Sequence, residues 1–96
     1  MSAKDTIHRL GTHQSVAYTG TAGTITNAVG SQTRAVMVTV TTLAHIRVGV
    51  SPTATTSDPI ICALTPYKIQ ISPGEKVSAI QSAAGGTLHV TELDHG

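Results

Sequence analysis

Apolar and polar residues alternate with a period of two through the middle of the chain. The segment 35–41 alternates valines with less apolar residues, and the segment 44–50 repeats the arrangement with His45 and Arg47 at the outward positions. Such alternation is typical of β-strands that bury one face. The few residues between the two segments, 41–43, predict a tight reversal, so we expect the two strands to form an antiparallel pair.

Prolines and glycines separate further short strands after this pair. Residues 51–59 are polar and bounded by prolines, which predicts an exposed loop. The short apolar segment 60–64 and the amphipathic segment 67–71 each predict a strand. The residues 72–75, Ser-Pro-Gly-Glu, fit a type II turn, because Pro fixes φ at the second position and Gly supplies a positive φ at the third.

Two more strands are predicted near the C-terminus and two weaker ones near the N-terminus. The segment 76–82 does not alternate cleanly, and a β-bulge would reconcile its apolar positions with one buried face. The dipeptide Gly85-Gly86 indicates a two-residue hairpin turn that leads into a strand over 87–93. The weaker strands lie at 15–19 and 23–29.

These seven or eight short strands, with no helical periodicity, predict an all-β fold. We expect a single antiparallel β-sandwich or jelly-roll-like domain over residues 15–96. Residues 1–14 show no alternation and are expected to form an extended N-terminal arm. A chain of 96 residues is too short to divide its apolar side chains between two cores.

The predicted core is poor in aromatic rings. The chain has no Trp and no Phe, and its aromatic residues are Tyr18 and Tyr67. A core of Val, Ile, Leu and Ala buries little area per residue, so burial exceeds chain entropy by a thin margin. Small domains of this kind often gain stability by association. We therefore expect a homo-oligomer, either a dimer or a trimer.

The single cysteine, Cys62, follows two isoleucines. Apolar neighbours of this kind predict a buried and unreactive thiol, since a reactive cysteine needs exposure and an activating base. We therefore assign Cys62 no catalytic role.

Charge is sparse and scattered along the chain. The net charge is +1 and charged residues make up 11% of the sequence. Nucleic-acid binders cluster their Lys and Arg residues, so we expect no nucleic-acid partner. No segment has the length and apolarity of a membrane span or of a signal peptide, and we expect synthesis in the cytoplasm without membrane association. A surface with so few charges is expected to be covered by partners.

The histidines and carboxylates are the remaining candidates for chemistry. The five histidines are His8, His13, His45, His89 and His95. None has the close spacing of a zinc ligand pair, so no metal or cofactor is expected unless the strands bring His45 and His89 together. Histidines at a partner interface would instead make assembly sensitive to pH. No nucleophile elbow, paired carboxylate or phosphate loop is present, which favours a non-enzymatic protein without catalytic residues.

Three segments of the chain resemble a group of small virion structural proteins from tailed bacteriophages. They are residues 46–58, residues 72–81 and residues 86–93. The group includes capsid decoration (cement) proteins and head or tail accessory proteins. The resemblance implies a β-sandwich or jelly-roll protomer, commonly a homo-oligomer, that docks on a capsid shell, and it carries over no catalytic residues.

The sequence and the resemblance together favour a capsid decoration protein located on the virion surface. Its partner would be the major capsid protein, with the arm and the polar loop as contact regions. The alternatives are another head or tail accessory protein and a tail-fibre or adhesin-type module that binds host-surface carbohydrate. The residues expected to contact the partner are Lys4, Ile7, His8, Arg9, Leu10, His45, Arg47, Thr53 and Thr55.

Overall fold

The computed structural model describes residues 8–31 and 33–95, and these form eight strands with no helix. The strands are β1 (His8–Tyr18), β2 (Gly23–Thr24), β3 (Ala35–Val40), β4 (Ala44–Gly49), β5 (Ile60–Ile61), β6 (Tyr67–Gln70), β7 (Lys76–Gln81) and β8 (Gly86–His95).

The strands form two antiparallel sheets of four strands each. Sheet I has the order β1-β8-β3-β6, and sheet II has the order β2-β7-β4-β5. The prediction of an all-β, two-sheet architecture is confirmed. The predicted arm, by contrast, does not extend to residue 14, because residues 8–14 belong to β1 and pair with β8. Residues 1–7, which complete the predicted arm, lie outside the described residues.

Two predicted hairpins are wrong. Strand β3 lies in sheet I and β4 in sheet II, and the same separation divides β7 from β8. Residues 41–43 and the Gly85-Gly86 turn therefore carry the chain from one sheet to the other. Alternation identifies the buried face of each strand, but it does not identify the partner strand. Two strands that face each other across a sandwich bury their apolar sides as effectively as two paired neighbours in one sheet do.

The core lies between the inner faces of the two sheets and is built mainly from β-branched residues. In β3 the even positions Val36, Val38 and Val40 are fully buried. The buried cluster comprises Tyr18, Ile25, Val29, Val36, Val38, Val40, Ala44, Ile46, Ile61, Ile71, Val77, Ala79, Leu88 and Val90.

Tyr18 closes one end of the sandwich. Its ring is 1% exposed, and its hydroxyl donates to the Thr42 carbonyl over 2.6 Å and accepts from the Thr42 amide over 3.1 Å. A Cβ atom at Gly86 would lie 2.7 Å from the same hydroxyl, so the close approach requires glycine. Tyr18 thus fixes the two inter-sheet crossings at residues 41–43 and 85–86.

The irregular burial of β7 comes from a covering loop and not from a bulge. The register of β7 with β4 is continuous from Gly49↔Lys76 to Ala44↔Gln81, while Val77, Ser78 and Ala79 are all buried. Residues 51–59 fold over the outer face of sheet II and bury Ser78 there. The predicted bulge is therefore wrong, and the predicted exposed loop is wrong at Pro52 and Ala54, which are buried.

Two local predictions have opposite outcomes. The type II turn is confirmed, because Gly74 has a φ of 87° and the Glu75 amide donates to the Ser72 carbonyl over 3.1 Å. Cys62 is exposed, so the predicted burial of its thiol is wrong. Ile60 is exposed, Ile61 is buried and Cys62 is exposed, so the alternation of this segment places Cys62 on the outward side.

Replacing Tyr18 with Phe tests the closure of the sandwich. The Thr42 amide and carbonyl would lose their shared partner, and we expect the free energy of unfolding to fall by about 1–3 kcal/mol. Urea unfolding measures this loss. Tyr67→Phe is the matched control, because the Tyr67 hydroxyl accepts from the exposed Cys62 amide, which water can satisfy. An equal loss in the two variants would contradict this role of Tyr18.

Candidate functional site

The structure presents two surface regions with functional potential, one on each sheet. The first is the loop cluster, formed by His45, Arg47, Thr55 and Asp58 on the outer face of sheet II. The second is the open face, the outward side of sheet I. The register places on the open face Leu10, His13, Ser15 and Ala17 from β1, Thr87, His89, Thr91 and Leu93 from β8, Ala35, Met37 and Thr39 from β3, and Lys68 and Gln70 from β6.

Asp58 is the centre of the loop cluster. Its carboxylate accepts from Arg47 Nε over 3.1 Å and from the Thr55 amide over 2.7 Å. Its main-chain carbonyl lies 2.8 Å from Nδ1 of His45. Strand β4 thus supplies two side chains that hold the end of the loop, so most polar groups of the cluster are engaged within the chain.

The pKa of the Asp58 carboxyl is lowered from its ordinary value of 3.8. The largest cause is the hydrogen bond from the Thr55 amide, and the hydrogen bond and charge of Arg47 add to it. Partial burial opposes these effects, since the Asp58 side chain is 11% exposed. The ionised carboxylate is therefore part of the folded loop.

Ser78 anchors the other half of the loop. It is fully buried, and its Oγ accepts from the Ala54 amide over 3.0 Å. The Thr24 hydroxyl lies 3.0 Å from Ser78 Oγ and 3.1 Å from the Pro52 carbonyl. These contacts tie the loop to β7 and β2, so the loop covers sheet II as an ordered layer.

The predicted contact residues divide between the two sheets. His45, Arg47 and Thr55 converge on Asp58, and Thr53 is exposed on the same loop. Leu10 is 65% exposed on the open face of the other sheet.

The remaining predicted contact residues lie in or before β1. His8 and Arg9 begin that strand, whereas Lys4 and Ile7 lie outside the described residues.

The open face carries very little charge. Among its members Lys68 has the one formal charge, and it lies at the edge strand β6. The rest are apolar side chains, hydroxyls, one amide and two imidazoles. Met37 is half-buried and Leu93 is 7% exposed, although both point outward as the alternation predicts. The face therefore combines apolar area with hydroxyl groups and almost no charge to desolvate.

A bulge in β1 adds a large apolar side chain to this face. The register shifts between Leu10↔Leu93 and His13↔Thr91, so β1 carries one extra residue there. Leu10 and His13 consequently point to the same side although they are three positions apart. The bulge turns Leu10 toward the open face, level with Leu93 and with Ala35 at the start of β3.

Two histidines stack near the middle of the open face. The rings of His13 and His89 are inclined by 22° with centroids 5.4 Å apart, and His13 Nε2 lies 3.4 Å from His89 Nδ1. On its other side, His13 Nδ1 lies 2.8 Å from Thr91 Oγ1. Both rings reach solvent.

The sequence did not reveal this histidine pair. His13 falls in the predicted arm, and the candidate partner of His89 in the sequence is His45, which lies on the other sheet. The fold therefore does not bring His45 and His89 together as strand neighbours. A sequence signal exists in hindsight, because residues 12–18 place His13, Ser15 and Ala17 on one side and Val16 and Tyr18 on the other.

Glu92 is a carboxylate that the fold buries. It is 9% exposed at the end of β8, on the inner side opposite Val36. The Thr33 hydroxyl, itself 1% exposed, donates to its Oε1 atom. This contact ties the segment after residue 31 to sheet I.

No family model, curated protein or solved structure matches the chain. Within residues 8–31 and 33–95, no three or more His, Cys, Asp or Glu side chains are grouped so as to hold a metal ion. The same part of the chain contains no helix long and apolar enough to cross a membrane.

Removing the Ser78 hydroxyl tests how the loop is held. Ser78→Ala leaves the buried Ala54 amide without an acceptor, and we expect a loss of about 1–3 kcal/mol in the free energy of unfolding. Hydrogen exchange should show faster exchange at Ala54. Ser82→Ala, at an exposed serine, is the control and should change neither quantity. An unchanged exchange rate at Ala54 in Ser78→Ala would argue against the anchor.

Acid should weaken the loop cluster through Asp58. Because the pKa of Asp58 is lower in the folded state than in the unfolded state, its contribution to the free energy of unfolding is complete above the unfolded-state pKa. This contribution is lost as the pH falls through the lowered folded-state pKa. Asp58→Asn should therefore be less stable than the wild type at pH 7, and the difference should shrink toward pH 2.5 in urea unfolding. Arg47→Gln should reduce this pH dependence in part. A difference that is constant over this pH range would contradict the assignment.

Proposed function

We propose that this protein is a non-enzymatic structural protein of a tailed-phage virion, a capsid decoration protein that binds and stabilises the major capsid shell. The observation that carries the proposal is the open face of sheet I, an outward sheet surface with apolar and hydroxyl side chains and one charge at its edge. The cores of protein interfaces are depleted in charge in the same way.

We further propose that the sandwich is an eight-stranded jelly roll. The strand pairs β1–β8, β2–β7, β3–β6 and β4–β5 support this topology. These are the four pairs that form when a long antiparallel hairpin, with β1–β4 along one arm and β5–β8 along the other, rolls into two sheets. Jelly rolls are frequent in viral capsid proteins and also occur in lectins. Since a fold alone does not determine function, the open face carries the functional argument.

The two outer faces differ in a way that favours sheet I for docking. The loop 51–59 covers part of sheet II and satisfies its own polar groups through Asp58 and Ser78. On sheet I, His13, Ser15 and Ala17 are exposed on the edge strand β1. A partner that covered this face would desolvate little charge, which lowers the free-energy cost of association.

Binding of the assembled shell explains how such a protein stabilises a capsid. A ligand that binds the assembled state and not the free subunits shifts the equilibrium toward assembly. The partner in this proposal is the major capsid protein, and the protein acts at the capsid surface as a homo-oligomer. Residues 1–7 remain a predicted reaching arm, and Leu10 lies at the edge of the open face on strand β1.

The carbohydrate-binding alternative has less support. Sugar sites commonly use the exposed face of an aromatic ring, and neither tyrosine offers one. Tyr18 is 1% exposed, and Tyr67 packs partly against the core with its hydroxyl bonded to the Cys62 amide. A capsid is therefore the favoured target, and host cells serve as the competing target in the binding experiment.

A charge placed on the open face should weaken capsid binding. Thr39→Lys puts an ammonium group in the middle strand β3, and we expect at least a tenfold loss of affinity for purified empty capsids in co-sedimentation, since the charge must be desolvated. Thr26→Lys, at an exposed threonine outside both sheets, is the matched control and should bind as the wild type does. Thermal unfolding confirms that both variants fold.

Two results would contradict the proposal. Sedimentation of the wild type with host cells and not with capsids would favour the adhesin alternative. Capsid binding that is unchanged in Thr39→Lys and lost in Thr53→Lys would place the contact on the loop of sheet II instead of the open face.

A further inference from the structure

We propose that His13 and His89 form a binding site for a divalent transition-metal cation of the class that imidazole ligands favour, such as Zn²⁺, Ni²⁺ or Cu²⁺. The site consists of two ring nitrogens on neighbouring strands, His13 Nε2 on β1 and His89 Nδ1 on β8. It does not depend on the proposed virion function, because it is formed by one chain.

The separation of the two nitrogens suits a shared metal ion. They are 3.4 Å apart. Two imidazole nitrogens that each lie 2.0–2.1 Å from a tetrahedral zinc ion are about 3.3–3.4 Å from one another. A hydrogen bond between the rings would be long at this distance, so little is lost when a cation replaces it.

Thr91 supports the site by holding the His13 ring. Its hydroxyl lies 2.8 Å from His13 Nδ1, and Thr91 itself is 9% exposed between β1 and β3. When His13 Nδ1–H donates to this hydroxyl, Nε2 carries the free lone pair. Partners of this kind orient a metal-binding imidazole and set its tautomer. The free nitrogen of His13 then lies on the side of His89.

The sheet holds the pair in place while leaving it accessible. His13 pairs with Thr91, and His89 pairs with Ser15 on one side and Thr39 on the other, so the histidines are diagonal neighbours in a ladder. His13 is exposed and His89 is half-buried, and their ring torsions can adjust without moving the core. Water molecules would complete the coordination.

The ligand type selects the class of cation. Imidazole nitrogen suits zinc, copper and nickel, whereas calcium and magnesium require oxygen ligands. The positive charge of Lys68 is two strands away from β8, with β3 between them. A site with two protein ligands binds reversibly, and the Irving–Williams order places Cu²⁺ as the tightest of these ions.

Isothermal titration of the untagged protein with ZnCl₂, NiCl₂ or CaCl₂ tests the site. We expect one Zn²⁺ or Ni²⁺ per chain and no heat of binding with Ca²⁺. His13→Ala and His89→Ala should each weaken Zn²⁺ binding at least tenfold, and Thr91→Val about tenfold through loss of orientation. His95→Ala, the same substitution on the same strand, is the matched control and should leave binding unchanged.

A spectroscopic measurement on the wild type makes the test independent of the variants. Addition of Co²⁺ should broaden the imidazole NMR signals of His13 and His89 before those of the other histidines. Zn²⁺ binding that survives in the His13→Ala/His89→Ala double variant, or broadening that begins at His8 and His95, would overturn the proposal. Neither result would bear on capsid binding, which the sedimentation experiment measures separately.

Discussion

The antiparallel pairing of β1 with β8 is the interaction on which the rest of the structure depends. It places Val16 and Tyr18 over the core and makes β8 an inner strand of sheet I, with β3 on its other side. The core contains a single buried aromatic ring, so most of its buried apolar area comes from aliphatic side chains that are spread over the strands. The same pairing builds the open face and sets His13 beside His89. The stability of the core and the chemistry of the surface therefore both depend on the β1–β8 pairing.

The two outer faces of the sandwich differ in how they are covered, although both carry few charges. On sheet II, the chain supplies its own cover, since the loop 51–59 binds Ser78 at one end and Arg47 through Asp58 at the other. On sheet I, hydroxyls, small residues and two imidazoles meet solvent with one charge at the edge. A chain that had to avoid association would be expected to place charge on such a face, as soluble monomers do.

Local order was predictable from the sequence, whereas strand partnership was not. Alternation predicted the strands at 35–40, 44–49 and 67–70, and the Pro-Gly dipeptide predicted the turn at Gly74. Both signals depend only on neighbouring residues. The hairpins across 41–43 and 85–86 were wrong because a period of two marks the buried face and carries no information on the partner strand. The predicted bulge in β7 was wrong for a related reason, since the burial of Ser78 depends on a loop more than twenty residues away. The His13–His89 pair joins residues 76 positions apart, which no spacing rule reaches.

The β1–β8 ladder also has a consequence for how the protein is made. It joins residues such as His13 and Thr91, separated by 78 positions, so sheet I cannot close until β8 has left the ribosome. Until then, the eleven residues of β1 have no strand to pair with, and their apolar side has no sheet to cover. Unpaired strands of this kind make a nascent chain prone to aggregate. Folding of the sandwich therefore waits for β8, which completes the sheet that β1 begins.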